Sequence, residues 1–85
     1  MANIDFMSLC KQTIIDLYRE KGTVLLENDV FIVWYCKTLQ NYKAILATNQ
    51  RDSMLYEVTY NGSEEEMYVD SYKKERNITV VMRAI

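Results

Sequence analysis

The stretch VFIVWYCKTLQNYKAILATNQRDSMLYEVTYNG, residues 30–62, decides the fold. Its β-branched and aromatic runs predict three strands, Val30–Cys36, Lys43–Thr48 and Met54–Tyr60, joined by Lys37–Tyr42 and Asn49–Ser53. The third runs into Asn61-Gly62, a strong hairpin signal because both residues tolerate positive φ. In the second strand Ala44 and Leu46 share one face and Ile45 and Ala47 the other. In the third, Tyr56, Val58 and Tyr60 oppose Leu55, Glu57 and Thr59, which predicts one partly wet face. Val30–Cys36 is apolar on both faces. That pattern predicts a central strand covered on both sides, with Trp34 and Cys36 in the core.

Upstream, Asp5–Lys21 has helical periodicity. Phe6, Cys10, Thr13 and Leu17 form a stripe that Met7, Leu9, Ile14 and Tyr18 widen. Asp5 or Asn3 can accept an orphan backbone N–H as N-cap, and Gly22 can supply the left-handed residue that ends the helix. Val24–Leu26 reads as a short strand or a docking segment, and Glu27-Asn28-Asp29 as a turn. Downstream, Glu65–Asp70 predicts a fourth strand, with Met67 and Val69 on one face and Glu66, Tyr68 and Asp70 on the other. A short helical segment is expected over Ser71–Arg76, and a closing strand over Ile78–Ile85. The expected architecture is α+β: one domain, residues 1–85, with one long N-terminal helix packed on a mainly antiparallel sheet of four or five strands.

Composition narrows the function classes. Ten basic and twelve acidic residues give a net charge of −2, which disfavours direct nucleic-acid binding. No apolar run approaches the roughly 18 residues of a membrane span. No signal peptide is visible, so a cytoplasmic location is expected. Cys10 and Cys36 read as free thiols rather than a disulfide framework. The chain has no histidine, which removes the commonest general base and transition-metal ligand. It has no glycine-rich phosphate loop either. A non-enzymatic protein without metal or cofactor is expected.

Two side-chain groups remain as candidate sites. Glu64-Glu65-Glu66, with Asp70 and with Glu57 across the hairpin, is the densest acidic cluster. It reads either as a solvated hairpin that discourages edge pairing or as a contact surface for a basic partner. Seven tyrosines, one tryptophan and two phenylalanines exceed what a core of this size requires. Tyr56, Tyr60 and Tyr68 are expected to form a cross-strand array, either stabilising the sheet or serving recognition. Candidate protein-binding residues are therefore Glu57, Tyr60, Glu64, Glu65, Glu66, Tyr68 and Asp70.

Trp34, Cys36-Lys37-Thr38-Leu39-Gln40-Asn41, Lys43-Ala44, Tyr56–Gly62 and Tyr72-Lys73-Lys74 resemble an uncharacterised family of short proteins from phages and prophages of Gram-positive bacteria. The resemblance covers about residues 5–76 and carries no catalytic residue. It implies an accessory protein in the bacterial host cytoplasm that binds and inhibits a host protein, such as an RNA-guided CRISPR nuclease of the Cas9 type or another defence factor. The alternatives are a sponge that sequesters a nucleotide or other small ligand, and a homodimeric phage regulatory protein joined through the sheet edge or tail.

Overall fold

The computed structural model describes residues 5–83, so Asn3 and the Ala84-Ile85 end of the expected closing strand lie outside the described residues. The helix α1, Phe6–Glu20, is followed by a 3₁₀ turn, Glu27–Asp29. Four strands then follow: β1 Val30–Thr38, β2 Asn41–Thr48, β3 Met54–Asn61 and β4 Glu66–Lys73. Each strand pairs antiparallel with the next, giving the order β1-β2-β3-β4. The α+β architecture expected from the sequence is present, with four strands.

Local chemistry fixes the helix ends. The Asp5 carboxylate accepts from the Ser8 backbone N–H at 3.2 Å and from the Ser8 hydroxyl at 2.7 Å, satisfying one of the orphan donors of the first turn. At the other end the Thr23 N–H donates to the Tyr18 carbonyl and the Gly22 N–H to the Arg19 carbonyl. This is a Schellman termination, and Gly22 holds its left-handed position at φ 87°. The buried stripe is Phe6, Cys10, Ile14, Ile15 and Tyr18. It is rotated from the expected stripe: Thr13 and Leu17 sit at its margin, and Met7 and Leu9 are exposed. Counting i+4 from Phe6 through Cys10 to Ile14 and Tyr18 follows the helix better than the i+3 step to Thr13.

The core lies between α1 and one face of the sheet. Ala44, Leu46, Tyr56 and Val58 are each at most 1% exposed and meet Cys10 and Ile14, both at 0%. Tyrosines fill its two ends. Tyr42 stacks on Phe6 at 5.1 Å between ring centroids and lies 5.8 Å from Tyr60. At the opposite end Tyr18 and Tyr56 meet edge to face at 6.0 Å. The Tyr56 hydroxyl donates to the Tyr18 hydroxyl at 2.9 Å, and Tyr18 in turn hydrogen-bonds Asp52. Burial and the Asp52 contact hold the Tyr18 phenol well above its ordinary range. Val24–Leu26 forms no strand; Leu25 alone is buried, as a docking residue.

The strand β1 is an edge strand, not the central one its apolar sequence predicted. Its pairing with β2 breaks between Ile32 and Trp34, leaving Val33 as an extra, bulged residue. The bulge reverses the alternation. Val30 and Ile32 face the helix before it, and Tyr35 does so after it, opposite Ala44 and 5.9 Å from Phe6. Trp34 and Cys36, expected in the core, are turned to the far face, where Trp34 is 48% exposed.

Four further expectations are corrected. The loop Lys37–Tyr42 shrinks to Leu39-Gln40, because pairing continues to Thr38↔Asn41. The β3–β4 connection is the four-residue loop Gly62–Glu65, closed by Asn61↔Glu66 and braced by the Asn61 side chain, which accepts from the Ser63 and Glu64 N–H groups. Its left-handed residue is Glu65, at φ 53°. Ser71–Lys73, expected in a short helix, completes β4, and residues 74–83 have no regular structure, so the closing strand is not formed there. Alternation explains this result: Met67, Val69 and Ser71 share one face, so β4 continues through residues that carry no helical stripe.

Gly62 is required by space rather than by φ. A Cβ there would lie 2.1 Å from the Gln40 carbonyl oxygen and 2.9 Å from the Gln40 Cβ. The Gln40 side chain also donates to the Ser63 hydroxyl at 2.8 Å, and the Gly62 N–H donates to the Asn41 side chain at 3.2 Å. The two hairpin loops at this end therefore interlock. Gly62→Ala forces them apart and is expected to destabilise the fold by about 1–3 kcal/mol. Gly22→Ala meets no atom within 4 Å and loses only the backbone preference, about 1 kcal/mol. Chemical denaturation of both variants reads the difference; equal losses would contradict the interlock.

Candidate docking face

Most of the sheet face away from α1 is open; at its Leu55 end Lys74, Glu75 and Arg76, beyond β4, join Ser53, Met54 and Leu55 around a cavity of about 610 Å³. The register brings its residues into rows. Trp34 lies opposite Ile45, Ile45 opposite Glu57, and Glu57 opposite Asp70. In the next row Cys36, Lys43, Thr59 and Tyr68 follow one another across the four strands. Glu66, opposite Asn61, lies one row further at the loop end, and Tyr72 opposite Leu55 lies at the other end. Phe31, Trp34, Leu55, Tyr68 and Tyr72 are between 44% and 54% exposed. An aromatic and aliphatic surface is thus left open to solvent, flanked by carboxylates.

Of the expected site residues, the fold collects Glu57, Glu66, Tyr68 and Asp70 on this face and sets Glu64 and Glu65 on the adjoining loop. Tyr60 is not among them. It points into the core, is 8% exposed and packs against Tyr42. Tyr56 is likewise interior, so the expected array of Tyr56, Tyr60 and Tyr68 is split across the two faces. Strand parity dictates the split: Thr59, not Tyr60, lies opposite Tyr68. Four of the seven tyrosines, Tyr18, Tyr42, Tyr56 and Tyr60, belong to the core and its margin, whereas Tyr35, Tyr68 and Tyr72 are exposed with Phe31 and Trp34.

The potential on the face is negative. Tyr68 hydrogen-bonds the Glu66 carboxylate, which holds its phenol above the ordinary range. The charges of Glu57 and Asp70 do the same to Tyr72. Lys43 approaches Glu57 at 3.9 Å, an exposed pair that stabilises little. Beside Trp34 a depression of about 240 Å³ is lined by Cys36, Thr38, Asn41, Tyr42, Lys43 and Thr59. It is small and shallow, suited to one side chain rather than to a nucleotide.

Phe31, Trp34, Leu55 and Tyr72 were absent from the sequence-derived site. Phe31 and Trp34 carried a signal, the second apolar face of β1, which was assigned to a covering layer that the chain does not supply. Among the described residues no group of three or more His, Cys, Asp or Glu side chains converges as a metal site would. No helix among them is long and apolar enough to cross a membrane.

Together these features define a small α+β domain with an open acidic and aromatic sheet face. The chain belongs to a family of unknown function, DUF6275, whose profile matches residues 7–82. No curated protein and no solved structure matches it.

Two expectations test this geometry. Glu57 and Asp70 are like charges directly opposite each other, an arrangement that destabilises a sheet. Asp70→Lys is therefore expected to raise stability by about 0.2–1 kcal/mol in a denaturant titration; a loss would show that the carboxylate supports the fold. Burial pushes the Cys10 thiol up to about 12, whereas Cys36 is half-buried on the open face. A maleimide at pH 8 should modify Cys36 in the native protein and Cys10 only after denaturation, as read by peptide mass spectrometry.

Proposed function

We propose that this chain is a non-enzymatic protein-binding domain that docks through its open sheet face onto a basic protein surface. The observation that carries the reading is the clustering of Glu57, Glu66 and Asp70 around exposed Trp34, Tyr68 and Tyr72 on a face with no covering layer. Exposed aromatic anchors inside a charged rim are the composition of a protein interface. Four strands of eight or nine residues present an area of roughly 500 Å², less than the ~800 Å² that a stable partner typically buries. The acidic loop Gly62–Glu65 extends the face toward that size.

The resemblance to short phage and prophage proteins supports a partner in a bacterial host. Among host targets, a defence nuclease with a basic channel for nucleic acid has the chemistry that the carboxylates fit. On this reading the protein acts as an inhibitor in the host cytoplasm, needs no cofactor, and gains association rate and orientation from its charge. Nucleotide sequestration is disfavoured on this face, because its carboxylates repel phosphate.

The test is an affinity pull-down from host extract with mass spectrometry, followed by binding measurements on the recovered partner. Charge reversal of Glu64, Glu65 and Glu66, and separately Trp34→Ala with Asp70→Lys, should each weaken binding at least about tenfold while the far-ultraviolet circular dichroism is unchanged. Full affinity in both variants would remove the face as the docking site. A rise in melting temperature with a nucleotide would favour the sponge instead.

A further inference from the structure

Beyond β4 the chain carries a second apolar feature, on a different part of the molecule from the docking face. Residues 74–83 are exposed throughout, and Ile78, Val80, Val81 and Met82 are 63–84% exposed. The run Ile78-Thr79-Val80-Val81 consists of strong strand formers, and it pairs with nothing among the described residues. The segment extends the ladder for one residue, with the Lys74 N–H donating to the Ser53 carbonyl at 2.8 Å. The radius of gyration is 15.5 Å and the longest dimension 52 Å, against about 12 Å expected for a compact chain of this length. A strand-forming segment thus projects from the sheet.

The sheet also has an edge that fits it. β4 pairs with β3 on one side over all eight residues without a register break, and among the described residues no strand lies on its other side. The opposite edge, β1, is bulged at Val33, a device that obstructs edge pairing. Length and charge agree on the occupant. Residues 75–82 match the eight residues of β4. Arg76 and Arg83 flank the apolar run, with Glu75 preceding them, whereas the β4 edge carries Glu66 and Asp70 besides Lys73 and adjoins Glu64 and Glu65. A two-fold axis near Lys74 would set Arg83 of one copy beside the acidic loop of the other.

We infer that the chain forms a two-fold symmetric homodimer in which residues 75–82 of each copy add as an antiparallel strand to the free edge of β4 in the other. The exchange is reciprocal, so both apolar segments and both open edges are satisfied at once. The result is a continuous sheet that leaves the docking face of each copy free. It does not depend on that face having a partner.

Light scattering on a size-exclusion column, with protein in the range of about 1–100 µM, tests the inference. The full chain should run as a dimer. A chain ending at Asn77, and the full-length variant carrying Val80→Lys and Val81→Lys, should run as monomers. Both should keep the circular dichroism and cooperative melting of the folded domain, since no buried residue is touched. Hydrogen exchange supplies an independent reading: amides of β4 and of residues 78–82 should be protected in the full chain and lose that protection in the double variant. A monomeric full chain at 100 µM would overturn the inference. So would a dimer that survives truncation, or protection that maps to β1.

Discussion

One helix can cover only one face of a four-stranded sheet, and most of this structure follows from that limit. α1 lies across the inner faces of β1 and β2, while Tyr56, Val58 and Tyr60 of β3 complete the buried layer. Every fully buried side chain is on that side. The first requirement on each described residue that points to the other side is that it tolerate water. The carboxylates of Glu57, Glu66 and Asp70 and the polar edges of Tyr68 and Tyr72 meet the first requirement. The exposed faces of Phe31, Trp34 and Leu55 do not.

The ends of the sheet show how a chain with only two glycines and no proline makes its turns. Side chains do the bracing instead. Asn61 bonds the backbone of its own loop, and Asn41 and Gln40 reach across to the neighbouring one. At the other end Asp29 accepts from the Leu26 N–H and the Asn49 side chain, while its carbonyl accepts from the Asn49 N–H. That clamp joins the start of β1 to the end of β2. In the loops between strands left-handed geometry falls to Leu39, Ser53 and Glu65, which costs each of them about 1 kcal/mol or more.

Much of this was legible in the sequence, because period and parity are local. The helix, the existence of the three strands within residues 30–62 and the facing of β2, β3 and β4 all follow from spacing alone. What was not legible arises from pairing. Strict alternation through Val30–Cys36 places Trp34 inside; a single unpaired residue, Val33, places it outside, and no composition rule announces a bulge. The position of β1 at the edge is equally non-local, since an apolar strand reads the same in the middle of a sheet and at its edge. Tyr60 shows the converse. Its parity with Tyr56 and Val58 already put it in the core, and grouping it with Tyr68 by residue type overrode that signal.

The acidic residues of the open face separate two explanations that composition alone leaves level. Charges placed only to keep an exposed sheet from associating would be expected to alternate in sign across strands, because opposite neighbours stabilise and like neighbours do not. Here Glu57 faces Asp70 directly, and Lys43 offsets only one of them, at 3.9 Å. The sheet carries a small internal repulsion at the centre of its exposed face. Simple solubility does not require that, since a lysine at either position would serve as well. On the proposed docking reading, a cation on the incoming surface would relieve this repulsion, and the depression beside Trp34 would take one of its side chains.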